Sequence, residues 1–133
     1  MEDEIRIRVE SDEDVLTARQ KGRALASRLG FSSVDLTLIT TAISEIARNM
    51  ASYAQRGEMV FKAARQGRKE GIIVVACDEG PGIPDLDSAM QDGYSTSGSL
   101  GLGLPGAKRL MDEFEIVSVV GKGTCVTMKK WMG

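Results

Sequence analysis

The sequence contains no histidine. That absence excludes Ser-His-Asp and Cys-His catalysis, zinc sites built on histidine, and a histidine that accepts a phosphoryl group. Any chemistry must therefore use carboxylates, amides, hydroxyls, lysines, backbone groups or a bound metal.

Aromatic residues are few, and the chain has no excess of positive charge. Aromatic residues make up 5% of the chain, and its formal net charge is −2. Without a basic stripe interleaved with aromatics, nucleic-acid binding is disfavoured. No apolar run approaches the roughly 18 residues that span a membrane, and the first ten residues, MEDEIRIRVE, lack the basic and apolar regions of a signal peptide. We therefore expect a cytoplasmic protein that binds neither nucleic acid nor membranes.

Cysteine is scarce as well. The chain has two, Cys77 and Cys125, and each lies within an apolar run. We expect both to be buried free thiols, as is usual in a reducing cytoplasm.

The remaining composition is that of a globular protein. A length of 133 residues with 42% hydrophobic content fits one domain, residues 1–133, with a single core. The apolar periodicity predicts the order β-α-α-β-β-loop-α-β-β. The predicted strands are 5–9, 58–66, 71–80, 114–120 and 124–132, and the predicted helices are 12–29, 31–57 and 102–112. Because strands cluster as hairpins, we expect an α+β fold: a two-layer sandwich with a mixed, mostly antiparallel sheet covered by helices on one face.

A glycine-rich stretch, STSGSLGLGLPGAKRL, precedes the last predicted helix. Glycines at 98, 101, 103 and 106 allow a ligand to approach the backbone closely, and the start of a helix suits an anion such as phosphate. A flexible connector is the alternative. The stretch lacks the Gly-Lys-Ser/Thr ending of a P-loop.

Two further clusters combine side chains that can act on a ligand. In SEIARN, Glu45 and Asn49 are four residues apart and share one face of a helix, with Arg48 placed to pair with Glu45. Asn supplies an oxygen ligand that Mg²⁺ accepts, and Glu can orient or deprotonate a hydroxyl; a solvated helix surface is the alternative. In CDEGPGIP, Asp78 follows a very apolar strand and faces a glycine-dense turn. Its carboxylate could accept a hydrogen bond from an exocyclic amine such as that of adenine, or the segment is a polar turn.

The order of these clusters resembles the GHKL (Bergerat-fold) ATPase and kinase superfamily. A helical E-x-x-x-N, then D-x-G-x-G at a strand end, then G-x-G-x-G before a helix, then GKGT at 121–124 correspond to its N box, G1 box, G2 box and final Gly-Thr turn. The single-domain size, SEIARN and the stretch from DEGPGIP to DEFEI look most like the RsbT-type serine/threonine switch kinases of bacterial stress-signalling modules.

The resemblance implies a role for each matched residue. Glu45 would be the general base or orienter of the acceptor hydroxyl, and Asn49 would coordinate Mg²⁺. Asp78 would bind the adenine amine, assisted by Thr124 through water, and residues 84–100 would form a nucleotide lid. The implied ATP contacts are Asn49, Asp78, Gly80, Gly82, Ile83, Ser99, Leu100, Gly101, Leu102, Gly103, Leu104 and Thr124.

The resemblance also implies partners and cofactors. ATP and Mg²⁺ would be the cofactors, STAS-domain antagonist or scaffold proteins of a stressosome-type module the substrates, and a PP2C-type phosphatase the target activated after release. The alternative is a nucleotide-dependent binding switch or an anti-sigma factor with little kinase turnover. The segment NMASYA departs from the anti-sigma kinases, in which the Asn is typically followed by Ala and, shortly after, by a histidine.

Overall fold

The structure is a computed structural model that describes residues 4–53, 56–80 and 103–132. Its elements follow the predicted order. The strands are β1 (Glu4–Val9), β2 (Gly57–Gln66), β3 (Lys69–Asp78), β4 (Glu113–Val119) and β5 (Gly123–Trp131), and the helices are α1 (Asp12–Leu29), α2 (Ser33–Tyr53) and α3 (Gly103–Leu110). The predicted lid, residues 84–100, lies outside the described residues.

Local side-chain chemistry sets where α2 begins. Ser32 Oγ accepts a hydrogen bond of 3.2 Å from the backbone N–H of Asp35, so Ser32 caps the helix. The prediction for the other end was wrong: Gly57, expected to end this helix, is the first residue of β2. A Cβ on Gly57 would overlap Met50 Cε at the end of its side chain and would lie 3.2 Å from the Cys77 carbonyl oxygen, so β2 is closely packed against α2 and β3 at this residue.

The five strands form one sheet in the order β1-β2-β3-β5-β4. A mixed, mostly antiparallel sheet was predicted, and every pairing among the described strands is antiparallel. The last strand along the chain, β5, lies between β3 and β4. This insertion brings the beginning of β5 beside the end of β3.

One face of the sheet carries the core. Alternating residues of the central strands are buried beneath the helices, and α3 packs against α2 rather than standing alone. The largest fully buried side chains are Phe61, Leu25, Ile39, Ile43, Ile46, Met59, Ile72, Met128, Val9 and Val74. The predicted two-layer arrangement, with helices on one face, is therefore confirmed.

The free-thiol prediction was wrong, because a disulfide joins Cys77 to Cys125. The two residues are direct partners in the β3–β5 register, and their Cα atoms lie 4.1 Å apart. Hydrophobic periodicity identifies both segments as strands, but it does not show that strands 48 residues apart in sequence are neighbours.

No helix in the described part of the chain is long and apolar enough to cross a membrane.

Candidate active site

The end of β3 holds Asp78 in a defined orientation. Its Oδ1 accepts two backbone hydrogen bonds, from Gly80 N–H at 2.9 Å and from Thr124 N–H at 3.2 Å. Among the described residues, both of these bonds fall on Oδ1. Asp78 is half-buried. A carboxylate fixed in this way presents one oriented acceptor, as recognition of an amine requires.

The beginning of β5 completes this part of the site. Thr124 Oγ1 lies 2.9 Å from Ser118 Oγ, a hydrogen bond across the β4–β5 pair. Gly123 has a φ of 131°, which residues with a side chain rarely adopt, and a Cβ there would overlap the backbone carbonyl oxygen of Asp78. We call Asp78, Gly123 and Thr124 the strand half of the site.

Three residues of α2 form the helix half of the site: Glu45, Arg48 and Asn49. Glu45 is buried, with a side chain 6% exposed, and its Oε2 accepts a hydrogen bond of 2.6 Å from Arg48 Nη1. Arg48 is 42% exposed, so the guanidinium lies on the solvent side of the carboxylate. Asn49 is half-buried. The predicted pairing of Glu45 with Arg48 is therefore confirmed.

Packing around Gly57 joins the two halves. An ideal Cβ on Gly57 would lie 3.2 Å from Asp78 Cβ and would overlap Met50 Cε. Gly57 is also the register partner of Asp78 in the β2–β3 pair. Met50 directly follows Asn49 in the sequence, so the end of α2 that carries Asn49 packs beside the strand that carries Asp78.

The third predicted segment is described from residue 103 onwards. Gly103 is the first residue of α3, and Leu104 is buried at 9% exposure in the core next to α2. Lys108 is exposed on the same helix. α3 packs on α2, the helix that carries the helix half of the site.

The remaining predicted contacts lie outside the described residues. The residues described are Glu45, Asn49, Asp78, Gly80, Gly103, Leu104 and Thr124, and those outside the description are Gly82, Ile83, Ser99, Leu100, Gly101 and Leu102.

The donor set fits a magnesium-bound nucleotide. Asn49 and Glu45 lie on one helix. The amide oxygen of Asn49 is a hard ligand of the type that suits Mg²⁺, and the carboxylate of Glu45 is a base of the type that suits phosphoryl transfer. No group of three or more acidic, Cys or His residues suited to a metal ion occurs within the described ranges.

Comparison with known families agrees with this geometry. The family model described as the histidine kinase-like ATPase domain matches residues 9–130. The chain belongs to this family. The match includes both halves of the site, α3 and nearly all of the sheet.

Comparison with individual proteins gives the identity and coverage of particular relatives. The chain is 49% identical to serine/threonine-protein kinase RsbT of Bacillus subtilis strain 168 over 132 residues, which is 99% of each chain. It is 35% identical to the anti-sigma F factor of Thermoanaerobacter sp. strain X514 over 122 residues, 87% of this chain and 84% of that relative. The mycobacterial sensor histidine kinase MprB has a similar fold, with a TM-score of 0.57 over 98% of this chain and 97% of that chain at 13% identity. The predicted RsbT-type recognition, the fold and the serine/threonine-kinase class are confirmed.

The resemblance placed Thr124 with Asp78 at the adenine, but two details beside them were not predicted. These are the hydrogen bond from the Thr124 N–H to Asp78 and the disulfide between the neighbouring cysteines, and both depend on β5 pairing with β3. The GKGT motif alone indicated only a turn.

Proposed function

We propose that this protein is an ATP-dependent serine/threonine kinase that works as a partner switch, with ATP bound across the two halves of the site. The observation that carries the proposal is the packing of an E-x-x-x-N helix beside a strand-end aspartate fixed by two backbone amides. The near full-length identity to a serine/threonine kinase supports the same activity.

The strand half would bind the base. Asp78 Oδ2 would accept a hydrogen bond from the adenine amine, with Thr124 assisting through water. Gly80, Gly82 and Ile83 would line the ring, and residues 99–104 would surround the phosphates at the beginning of α3, where unpaired N–H groups favour anions.

The helix half would carry the chemistry. Asn49 would hold Mg²⁺, which would neutralise the charge that develops on the phosphates. The Glu45 carboxylate would take the proton of the acceptor hydroxyl as that oxygen bonds to the γ-phosphorus. The bond from the γ-phosphorus to the bridging oxygen breaks in the same step, and ADP leaves. Arg48, which donates to Glu45 Oε2, would keep the carboxylate in place.

The acceptor would be a serine or threonine of a STAS-domain antagonist or scaffold protein. A kinase released from such a scaffold would then bind and activate a PP2C-type phosphatase. The 35% identity to an anti-sigma F factor favours one alternative, a nucleotide-dependent protein-binding switch with little turnover.

The test measures transfer of the γ-phosphate of ATP to a purified STAS-domain protein in the presence of Mg²⁺. Wild type is compared with Glu45→Ala and Asn49→Ala. Glu13→Ala and Gln20→Ala are matched controls, since both residues are exposed on α1. We expect transfer by wild type and the controls, and its loss in both site variants while circular dichroism reports an intact fold.

Three results would contradict this proposal or the roles it assigns. Retained transfer in both site variants would remove Glu45 and Asn49 from the named roles. Binding of ATP without transfer to any STAS-domain protein would favour the binding switch, and stable capture of a sigma factor with ADP or ATP would identify an anti-sigma factor.

A further inference from the structure

The disulfide lies immediately beside the strand half of the site. Cys77 directly precedes Asp78, and Cys125 directly follows Thr124. The bond therefore ties together the two backbone segments whose contact orients the Asp78 carboxylate.

The sulfur atoms are placed on the opposite face of the sheet from that carboxylate. Successive side chains of a strand point to opposite faces, and Ala76 on the core face is buried whereas Cys77 is only half-buried. Cys125 is exposed. A small thiol or disulfide can thus reach the exposed Cys125 from the face opposite the described helices.

We propose that Cys77 and Cys125 form a reversible thiol–disulfide pair that sets the geometry of the strand half and, through it, the affinity for nucleotide. The second part of this inference rests on the proposed function. The oxidant is a low-molecular-weight disulfide. The Cys125 thiolate attacks one of its sulfurs and releases a thiolate, and the Cys77 thiolate then attacks Cys125 Sγ and displaces the second. The protein loses two protons and two electrons overall, and the small disulfide becomes two thiols.

Close packing explains why the redox state reaches the site. Two thiols must stand at non-bonded distance, whereas the disulfide holds β3 and β5 together at this pair of residues. The neighbouring contacts are close. Asp78 Oδ1 accepts hydrogen bonds of 2.9 and 3.2 Å, and the backbone of Gly123 lies so near the Asp78 carbonyl oxygen that a Cβ would overlap it. Reduction loosens these contacts, so the oxidised protein binds nucleotide more tightly.

The experiment equilibrates the full chain in buffers of graded reduced to oxidised glutathione. Alkylation followed by mass measurement counts the free thiols in each buffer. A fluorescent ADP analogue gives the nucleotide affinity, and amide hydrogen exchange reports the Thr124 and Gly80 N–H groups. We expect both thiols to disappear together, affinity to rise about 5-fold or more on oxidation, and exchange at Thr124 to slow.

Serine variants provide the matched controls. Cys77→Ser and Cys125→Ser keep a polar group of similar size but cannot form the bond. Both variants should bind nucleotide like the reduced wild type and should not respond to the glutathione ratio.

Several outcomes would overturn the inference. One is a pair that stays reduced, or stays oxidised, across the whole range of buffers. Another is equal nucleotide affinity and equal Thr124 exchange in the two states. If neither state binds nucleotide, the proposed function fails, and the Thr124 exchange rates still decide whether the redox state reaches the strand half.

Discussion

The two halves of the site are built in different ways. The helix half comes from five consecutive residues, Glu45 to Asn49, and is ordered by helical spacing and one ion pair. The strand half joins Asp78 to Thr124, which are separated by 46 residues, through a hydrogen bond from the Thr124 N–H to the Asp78 carboxylate that depends on sheet register. A side-chain change in the helix half should therefore alter chemistry with little effect on the fold. A change in the strand half should alter binding and stability together.

Glu45→Gln should have the largest effect and should act on chemistry alone. Because the amide cannot accept the hydroxyl proton, we expect phosphoryl transfer to fall about 10²- to 10⁴-fold, with nucleotide affinity unchanged. Single-turnover transfer and equilibrium binding of the fluorescent ADP analogue separate the two quantities. A parallel loss of nucleotide affinity would mean that Glu45 also contributes to binding, so the two halves would not have separate roles.

Gly123→Ala should show that the strand half is part of the sheet. The φ of 131° and the overlap with the Asp78 carbonyl should together lower the free energy of unfolding. We expect a loss of about 2–4 kcal/mol, measured by urea denaturation. Gly121→Ala is the matched control: its φ is 84°, but a Cβ there meets nothing within 4 Å. Equal losses at the two positions would mean that contact with Asp78 is unimportant.

Asp78→Asn should weaken binding without changing the chemical step. Asparagine keeps an acceptor for the Gly80 and Thr124 N–H groups but removes the charge that faces the adenine amine. We expect nucleotide affinity to fall about 10- to 100-fold, with near-normal transfer at saturating ATP. Glu79→Gln, an equal change of charge at the exposed neighbouring residue, should leave affinity unaltered. Unchanged affinity in Asp78→Asn would remove adenine recognition from this residue.

Arg48→Met should give the smallest effect. Arg48 is 42% exposed, so breaking its pair with Glu45 should lower the free energy of unfolding by only about 1 kcal/mol. A double-mutant cycle with Glu45→Gln measures the coupling between the two side chains. Zero coupling would mean that the pair does not order the helix half.

The difference between the helix half and the strand half also explains how much of the fold and the site could be predicted from the sequence. The helix half needed only the i, i+3 and i, i+4 relations within one helix, and Ser32 was recognisable as a cap from its residue type and position. The apolar run before Asp78 likewise placed this residue at a strand end. These inferences concern residues close together in the sequence, where local geometry decides.

Long-range pairing could not be predicted in this way. Periodicity shows which face of a strand is buried but not which strand lies beside it. The insertion of β5 between β3 and β4 therefore went unpredicted, and with it the position of Gly123 and the disulfide. The resemblance placed Thr124 with Asp78 at the adenine, but it did not predict the direct hydrogen bond between them. Contacts assigned to Gly82, Ile83 and residues 99–102 stay predictions.

The sheet order also has a consequence for synthesis on the ribosome. β5 is made after the other four strands, yet it is the partner of both β3 and β4. Until β5 emerges, β3 has one open edge and β4 has no neighbour among the described strands, which are conditions that favour pairing with other chains. A nascent chain should therefore be most prone to aggregation, and unable to bind nucleotide, during the interval just before its last strand is translated.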